Sequence, residues 1–383
     1  MGSTVPDFQS LRDARHYEVD RSSEVRVLSW NLLADCCFQK YHGYAGYSNQ
    51  KRHELLRIVL EKFIFYKAVD IFCLQEVDEA VMTAIEEVFA HYSYKAFKTI
   101  SHSLSCTILY NKSKLEVVAC DAVDMNDLST RSALQAPAKG CTSCQDNIAR
   151  KNSGLILILR HLQSQKEFVV ANTQLYWDPQ FEYIKLCQAH YLCQRIELFT
   201  KKIGLVDAPV IVCGDFNSKP GGLVHKYFTK GIGAAKVDDL FLRDMARAAD
   251  MKLDVMEWLL SDLSCPFRFR SSYASESDTS QECYPFTNVT DTFQGFVDYI
   301  FFQPAKLLQV GRLPLPATTK DLEKTHKAAM LPSLKWPSDH LPVGAKFSLL
   351  QHTGKGCSWI GDEHVWMEWL LHRKGSRLGW CGR

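Results

Sequence analysis

Five stretches of this chain end or interrupt an apolar run with oxygen- or nitrogen-bearing side chains. They are Val27-Leu-Ser-Trp-Asn31, Ile71-Phe-Cys-Leu-Gln-Glu76, Pro209-Val-Ile-Val-Cys-Gly-Asp-Phe-Asn-Ser-Lys219, Phe296-Val-Asp298-Tyr-Ile and Pro337-Ser-Asp339-His340-Leu-Pro. Polar groups at the edge of a hydrophobic sheet lose hydration, so gathering several carboxylates there is unfavourable unless a cation neutralises them. Oxygen ligands from Asp, Glu and Asn, completed by water, suit Mg²⁺ or Mn²⁺, whereas zinc draws more His and Cys. A carboxylate-held Mg²⁺ that keeps several waters points toward phosphate chemistry. Taken singly, each stretch also reads as plain structure: Gly214-Asp-Phe-Asn as a turn, Asp339 as a cap before Pro342, Glu76 as a solvated strand end. Their joint occurrence is what favours a common site.

Something must hold these residues together. Short apolar or alternating runs predict strands at Val25–Trp30, Asp70–Val77, Cys106–Tyr110, Leu155–Leu159, Phe168–Leu175, Pro209–Gly214, Phe296–Phe302 and Leu341–Phe347. Helical periodicity appears over His53–Tyr66, Glu79–His91, Tyr183–Ile203 and Asp238–Leu263. Strands occur both in hairpin-like pairs and separated by helices, so the expected class is a mixed-sheet α/β or α+β domain, with two stacked sheets and helices outside. The polar Ser271–Cys283 segment reads as a surface loop.

Composition adds limits. The chain has 383 residues, 46% apolar and 23% charged, enough for a sizeable core. A net charge of +2 gives no broad electrostatic field, so a nucleic-acid partner would have to be drawn by a local patch or a bound cation. The 14 cysteines come without an export signal in residues 1–24, which predicts reduced thiols and a cytoplasmic or nuclear location. Cys73 and Cys213 sit in apolar runs and read as core, and Cys141-Thr-Ser-Cys144 is a lone pair in a polar segment, read as a loop without metal. No run is long and apolar enough to span a bilayer, and Pro6 stands where a myristoylation pattern wants Ser or Thr, so no membrane association is expected.

Together, Ser29-Trp-Asn31, Leu74-Gln-Glu76-Val, Ala171-Asn-Thr173, Cys213-Gly-Asp-Phe-Asn-Ser218, Val297-Asp-Tyr-Ile300 and Pro337-Ser-Asp-His-Leu-Pro342 resemble the endonuclease/exonuclease/phosphatase superfamily, whose fold is that of deoxyribonuclease I. Trp177-Asp-Pro179 and Tyr183-Ile-Lys-Leu-Cys-Gln188 look like the branch that holds the carbon catabolite repression deadenylases, Angel, Nocturnin and 2′,5′-phosphodiesterase. The resemblance implies a four-layered α/β sandwich with its site at one edge of the paired sheets. It covers residues 25–349 as catalytic domain, leaving 1–24 as an N-terminal extension and 350–383 as a Trp-rich tail. It also implies roles: Glu76 as principal Mg²⁺ ligand with Asn31 and Asp339 assisting, Asp215 orienting or deprotonating the attacking water, and Asn217 holding the scissile phosphate. His340 would contact the phosphate oxygens with Asp298 fixing its tautomer. Phe293 and Pro179 match the pair that sandwiches a base, although Phe293 also reads as a core aromatic beside Phe286, Phe296 and Phe301.

One position departs from the branch. A histidine is expected after Ala171-Asn-Thr173, and Gln174 stands there instead. Its amide can donate a neutral hydrogen bond but can neither supply charge nor shuttle a proton. Losing one charged donor costs about 2 to 4 kcal/mol of transition-state stabilisation. The expected function is a Mg²⁺-dependent phosphodiesterase on RNA, a 3′-5′ exonuclease that prefers adenylate-rich 3′ ends. The alternatives are a 2′,5′-oligoadenylate phosphodiesterase or nucleotide phosphatase of the same fold, and a weakly active RNA-binding or scaffold protein. In the tail, Trp359, Trp366, Trp369 and Trp380 lie near Arg373, Lys374 and Arg377, as in a segment that packs on the domain, docks a protein partner or contacts RNA.

Overall fold

The computed structural model of the protein describes residues 6–11, 20–39, 46–99, 104–130, 150–231, 243–244, 246–247, 263–274, 284–326 and 328–350. The expected loop Cys141–Cys144, nearly all of the expected helix Asp238–Leu263, residues 275–283 of the polar loop and the tail from 351 lie outside them.

Among the described residues the strands build two large sheets. The first runs, in spatial order, β1 (Gln9–Ser10), β14 (Leu307–Arg312), β15 (Val343–Leu349), β2 (Glu24–Asn31), β3 (Ile71–Val77), β5 (Ser105–Asn111) and β4 (Tyr94–Lys98). The second runs β10 (Arg270–Ser271), β13 (Asp298–Phe302), β9 (Val210–Asp215), β8 (Glu167–Gln174), β7 (Ser153–His161) and β6 (Leu115–Asp124), and a small hairpin joins β11 (Asn288–Val289) to β12 (Gln294–Gly295). Both large sheets are mixed, with β2–β3 and β8–β9 parallel and their other pairs antiparallel.

Side-chain alternation gives each strand two destinations. In β2 and β3, Val25, Val27, Ile71 and Cys73 share one buried cluster with Val170 and Ile211 of the second sheet. Leu28, Trp30, Phe72 and Leu74 point the other way and join Leu56, Leu60 and Phe63 of the Asn49–Lys67 helix and Val81 and Ile85 of the Glu79–His91 helix. On the far side of the second sheet, Phe228 of the Leu223–Lys230 helix stacks on Phe301 with ring centroids 4.5 Å apart, and the Glu182–Ile203 helix covers the rest. The result is helix, sheet, sheet, helix. The strands buried on both faces read from the sequence as continuous apolar runs, and all eight expected strands are present to within two residues at each end.

The helix start at Asn49 comes four residues before the expected one, because its polar first turn carries no periodicity and Ser48 supplies the cap, its Oγ accepting from Lys51 N at 3.4 Å. Strands β4, β6 and β14 were not expected. β4 and β6 are sheet edges whose exposed residues break the apolar pattern, and β14 carries a bulge between Gln309 and Gly311.

His326, at the end of the Thr319–His326 helix, is buried edge-on against Trp336 with ring centroids 4.7 Å apart. Burial alone pushes its pKa down to about 4, so the folded protein favours the neutral ring while the unfolded chain takes up a proton near 6.5. That stability is complete above pH 6.5 and drains away as the pH falls toward 4. Urea denaturation at pH 7 and pH 5 is expected to show the parent losing about 2 kcal/mol relative to His326→Gln over that interval.

Candidate active site

Alternation and register bring the expected residues to one end of the seam between the sheets. Gln174, Asp215 and Asp298 are direct cross-strand partners on β8, β9 and β13, a row spaced by the strand separation of about 4.8 Å. In the first sheet Asn31 pairs with Gln75, and Glu76 follows where the β3–β5 register shifts between Leu74 and Val77. Glu76 has φ +55° there, a left-handed backbone that a glutamate seldom adopts. The bulge turns its carboxylate toward the second sheet.

The glycine before Asp215 has a steric reason. Gly214 has φ +152°, and a Cβ on it would stand 2.0 Å from the Thr173 carbonyl oxygen of the neighbouring strand. Strand β9 can lie this close to β8 only with hydrogen at that position.

Two amides bridge the two central carboxylates. Asn31 Nδ2 donates to Glu76 Oε1 at 2.9 Å and to Asp215 Oδ2 at 3.1 Å, and Gln174 Nε2 donates to the same two oxygens at 2.8 and 3.5 Å. Asn31 Oδ1 accepts from Leu33 N at 2.9 Å and Glu76 Oε2 from Ala34 N at 3.1 Å, so the loop after β2 fixes both groups. That loop is itself held by the buried Arg52, which donates to Leu32 O at 2.8 Å and pairs with Asp35. Asn217, at φ +48°, donates from its backbone to Asp215 Oδ1 at 3.0 Å and from its side chain to Leu175 O at 3.0 Å.

His340 closes the other side. Its Nδ1 lies 2.8 Å from Asp298 Oδ2, which leaves Nε2 facing Asp215 Oδ2 at 3.9 Å. Trp30 and Trp336 each donate an indole N–H to His340 O at 2.9 Å, and Ser338 Oγ accepts from His340 N at 3.0 Å while donating to Asn31 O at 2.7 Å. Burial lowers the imidazole's proton affinity, but the charges of Asp298, Asp339 and Asp215 outweigh it and hold the pKa well above the usual histidine value. Asp215 moves the opposite way for a carboxylate: burial pushes it up to about 7, the charge of His340 opposes that, Asp298 adds to it, and the bonds from Asn31 and Asn217 lower it.

The donor set fits a hard cation. Glu76, Asp215, Asp298 and Asp339 supply four carboxylates against the one imidazole of His340, and among the described residues no lysine or arginine pairs with Glu76 or Asp215. Asp298 Oδ1 is buried without a hydrogen-bond partner among them. An oxygen-rich, anionic pocket of this kind suits Mg²⁺ or Mn²⁺. One metal-capable trio converges among the described residues, Asp215, Asp298 and His340, whose ligand atoms all lie within 4.8 Å of one another. In it the His340–Asp298 hydrogen bond already uses Nδ1.

Asp339 lies beside His340 and is felt by the ring as charge. Phe293 is half-buried at the tip of the β11–β12 hairpin with Lys219 Nζ 5.0 Å from its ring centroid, outside the core that Phe296 and Phe301 help to build. Pro179 is exposed and starts the short Pro179–Phe181 turn that Asp178 caps.

Sequence reasoning missed three supports. Gln75 Nε2 donates to Asn172 Oδ1 at 2.7 Å, and Asn172 Nδ2 returns to Leu74 O at 2.8 Å, a buried polar bolt between the sheets just beneath the site. Lys185, 1% exposed, donates to Asn217 O at 2.7 Å and pairs with Glu182. Asn152 joins Gln188 Nε2 to Gln174 O at 3.1 Å on each side. Lys185 and Gln188 lie within Tyr183–Gln188, a segment whose residues marked a branch without revealing what they hold.

Comparison with known proteins agrees with this geometry. The chain is 27% identical over 380 residues to the CCR4-Not complex 3′-5′-exoribonuclease subunit Ccr4 of Phaeosphaeria nodorum, covering 84% of this chain and 59% of the relative. It is 28% identical over 309 residues to the Carbon catabolite repressor protein 4 homolog 4 of Arabidopsis thaliana, covering 73% of this chain and 67% of that one. It therefore spans little more than half the length of the fungal relative. Among solved structures, ANGEL2, a 2′,3′-cyclic phosphatase, superposes with a TM-score of 0.66 at 23% identity over 87% of this chain and 97% of its own. With the sequence pattern of that family matching residues 28–340, the chain belongs to the Endonuclease/Exonuclease/phosphatase family.

Proposed function

We propose that this protein is a divalent-metal-dependent phosphodiesterase that shortens RNA from its 3′ end, with a preference for adenylate. The carrying observation is the meeting of Glu76 and Asp215 on shared amide donors opposite the His340–Asp298 pair. The name of the fungal relative, a 3′-5′-exoribonuclease subunit, supports the direction of attack, and the Arabidopsis relative supports the branch. On this reading residues 25–349 form the catalytic domain and the protein works in the cytoplasm, where adenylate tails are exposed.

Glu76 would hold the cation, with Asn31 and Asp339 completing its surroundings; bound there, the cation would oppose the negative charge that builds on the phosphate oxygens. Asp215 is mounted at a rigid strand end, where it can take a proton from an in-line water. Asn217 spends one side-chain N–H on Leu175 O, and the other, 3.3 Å from Asp215 Oδ2, can be handed to the scissile phosphate. His340, kept protonated by its acidic neighbours, offers Nε2–H to the same oxygens, and Asp298 fixes the ring through Nδ1.

Purified protein incubated with labelled oligo(A), a mixed-sequence RNA and 2′,5′-triadenylate, in Mg²⁺ or EDTA, tests this. Ladders from oligo(A) in Mg²⁺ alone are expected. Cleavage of only the 2′,5′ oligomer would replace the proposal with the smaller-substrate reading, and RNA retention without products would replace it with a scaffold role.

Phe293 and Pro179 are the proposed base clamp. Base stacking on an aromatic contributes about 1 to 3 kcal/mol, so Phe293→Ala is expected to raise KM for oligo(A) roughly tenfold. Steady-state kinetics will show this, and an unchanged KM would remove Phe293 from the binding path.

A further inference from the structure

The amide at position 174 sits where a cation's own ligands meet. We propose that Gln174 is a latch on the cation site: it occupies oxygens that a divalent ion would use and so keeps the protein's affinity for that ion low. The inference rests on the metal-dependent reading above.

Gln174 Nε2 is 2.8 Å from Glu76 Oε1 and 3.5 Å from Asp215 Oδ2. With Asn31 Nδ2 on the same oxygens and Ala34 N on Glu76 Oε2, the Glu76 carboxylate accepts three N–H groups and is satisfied with no ion present. A hydrogen bond to a charged acceptor is stronger than one between neutral groups, so an ion arriving at Glu76 Oε1 displaces something of consequence.

The two amides are not equivalent. Asn31 is buried and anchored at both ends, since its Oδ1 accepts from Leu33 N at 2.9 Å. Gln174 is half-buried, and among the described residues its side-chain oxygen makes no hydrogen bond. Gln174 can therefore rotate away without stranding a second partner, and Asn31 cannot. The movable donor is the one that must yield, and what its bond contributes to the empty pocket is subtracted from ion binding.

Isothermal titration of Mn²⁺ into the parent protein, Gln174→Ala, Gln174→Met and Glu76→Gln tests this, with thermal melts of each in EDTA. The expected result is binding at least tenfold tighter in both Gln174 variants, about 1.4 kcal/mol, together with a lower melting point in EDTA that Mn²⁺ restores. Gln174→Met preserves length while removing the donor, so it separates the latch from a simple packing defect. Equal or weaker Mn²⁺ affinity in both Gln174 variants, with binding lost in Glu76→Gln, overturns the latch and leaves the cation site standing. No binding in any of the four overturns both.

Discussion

On the proposed function, with Asp215 as the general base, Asp215→Asn is expected to slow RNA hydrolysis by about three decades while KM stays within a few-fold of the parent value. The general base contributes roughly 10² to 10⁴ in rate, and an amide cannot accept the proton of water at neutral pH. The substitution preserves shape and keeps one oxygen for the Asn217 N–H, which now bonds Asp215 Oδ1 at 3.0 Å. It places an NH₂ group where Asn31 and Gln174 both donate, so some loosening of the pocket accompanies the lost base. Single-turnover kinetics on oligo(A), alongside a melting curve, separate the two effects. A variant within tenfold of the parent would move the base to another residue.

The largest effect on folding belongs to the residue next door. Gly214→Ala forces a methyl to within 2.0 Å of Thr173 O and 2.9 Å of Thr173 C, which are backbone atoms of a central strand. Thr173 and Gly214 are cross-strand partners, so relief means prying β8 from β9 in the middle of the second sheet. At φ +152° an alanine is also strained in itself. The combined cost exceeds about 4 kcal/mol, a size reserved for few substitutions. Circular dichroism will show either no cooperative transition or a midpoint lower by about 10 °C. A midpoint within two degrees of the parent would mean that β8 and β9 do not approach as closely as described.

The contrast between these two neighbours shows what the sequence disclosed. Asp215 and Glu76 were legible only jointly, because an acid closing the apolar run Val210–Cys213 or Ile71–Leu74 also reads singly as a turn or a solvated strand end, and it was the recurrence of such ends along plain apolar runs that pointed to one site. Strands β2, β3, β8, β9 and β13 were legible for the same reason: burial on both faces leaves runs that little else explains. The edges β4 and β6 were not, since a half-exposed strand mixes charge with apolar residues and loses its signature. Nor could the chain alone reveal the bulge that turns Glu76, because nothing in the residue type asks for φ +55°. The Lys185–Asn217 bond and the Gln75–Asn172 pair stayed hidden because each joins residues more than thirty positions apart, and no local periodicity records such contacts. Gln174 was visible as a departure, but its hold on Glu76 across two sheets was not.

Asn31 and Glu76 hang from one sheet, Gln174, Asp215 and Asp298 from the other, and the Gln75–Asn172 bolt lies directly below them. Whatever fills the space between the two groups therefore acts as a rivet through both layers. Denaturant cannot part the layers without first expelling it, so resistance to unfolding climbs with the logarithm of the occupant's concentration, by about 2.7 kcal/mol at a hundredfold excess over its dissociation constant.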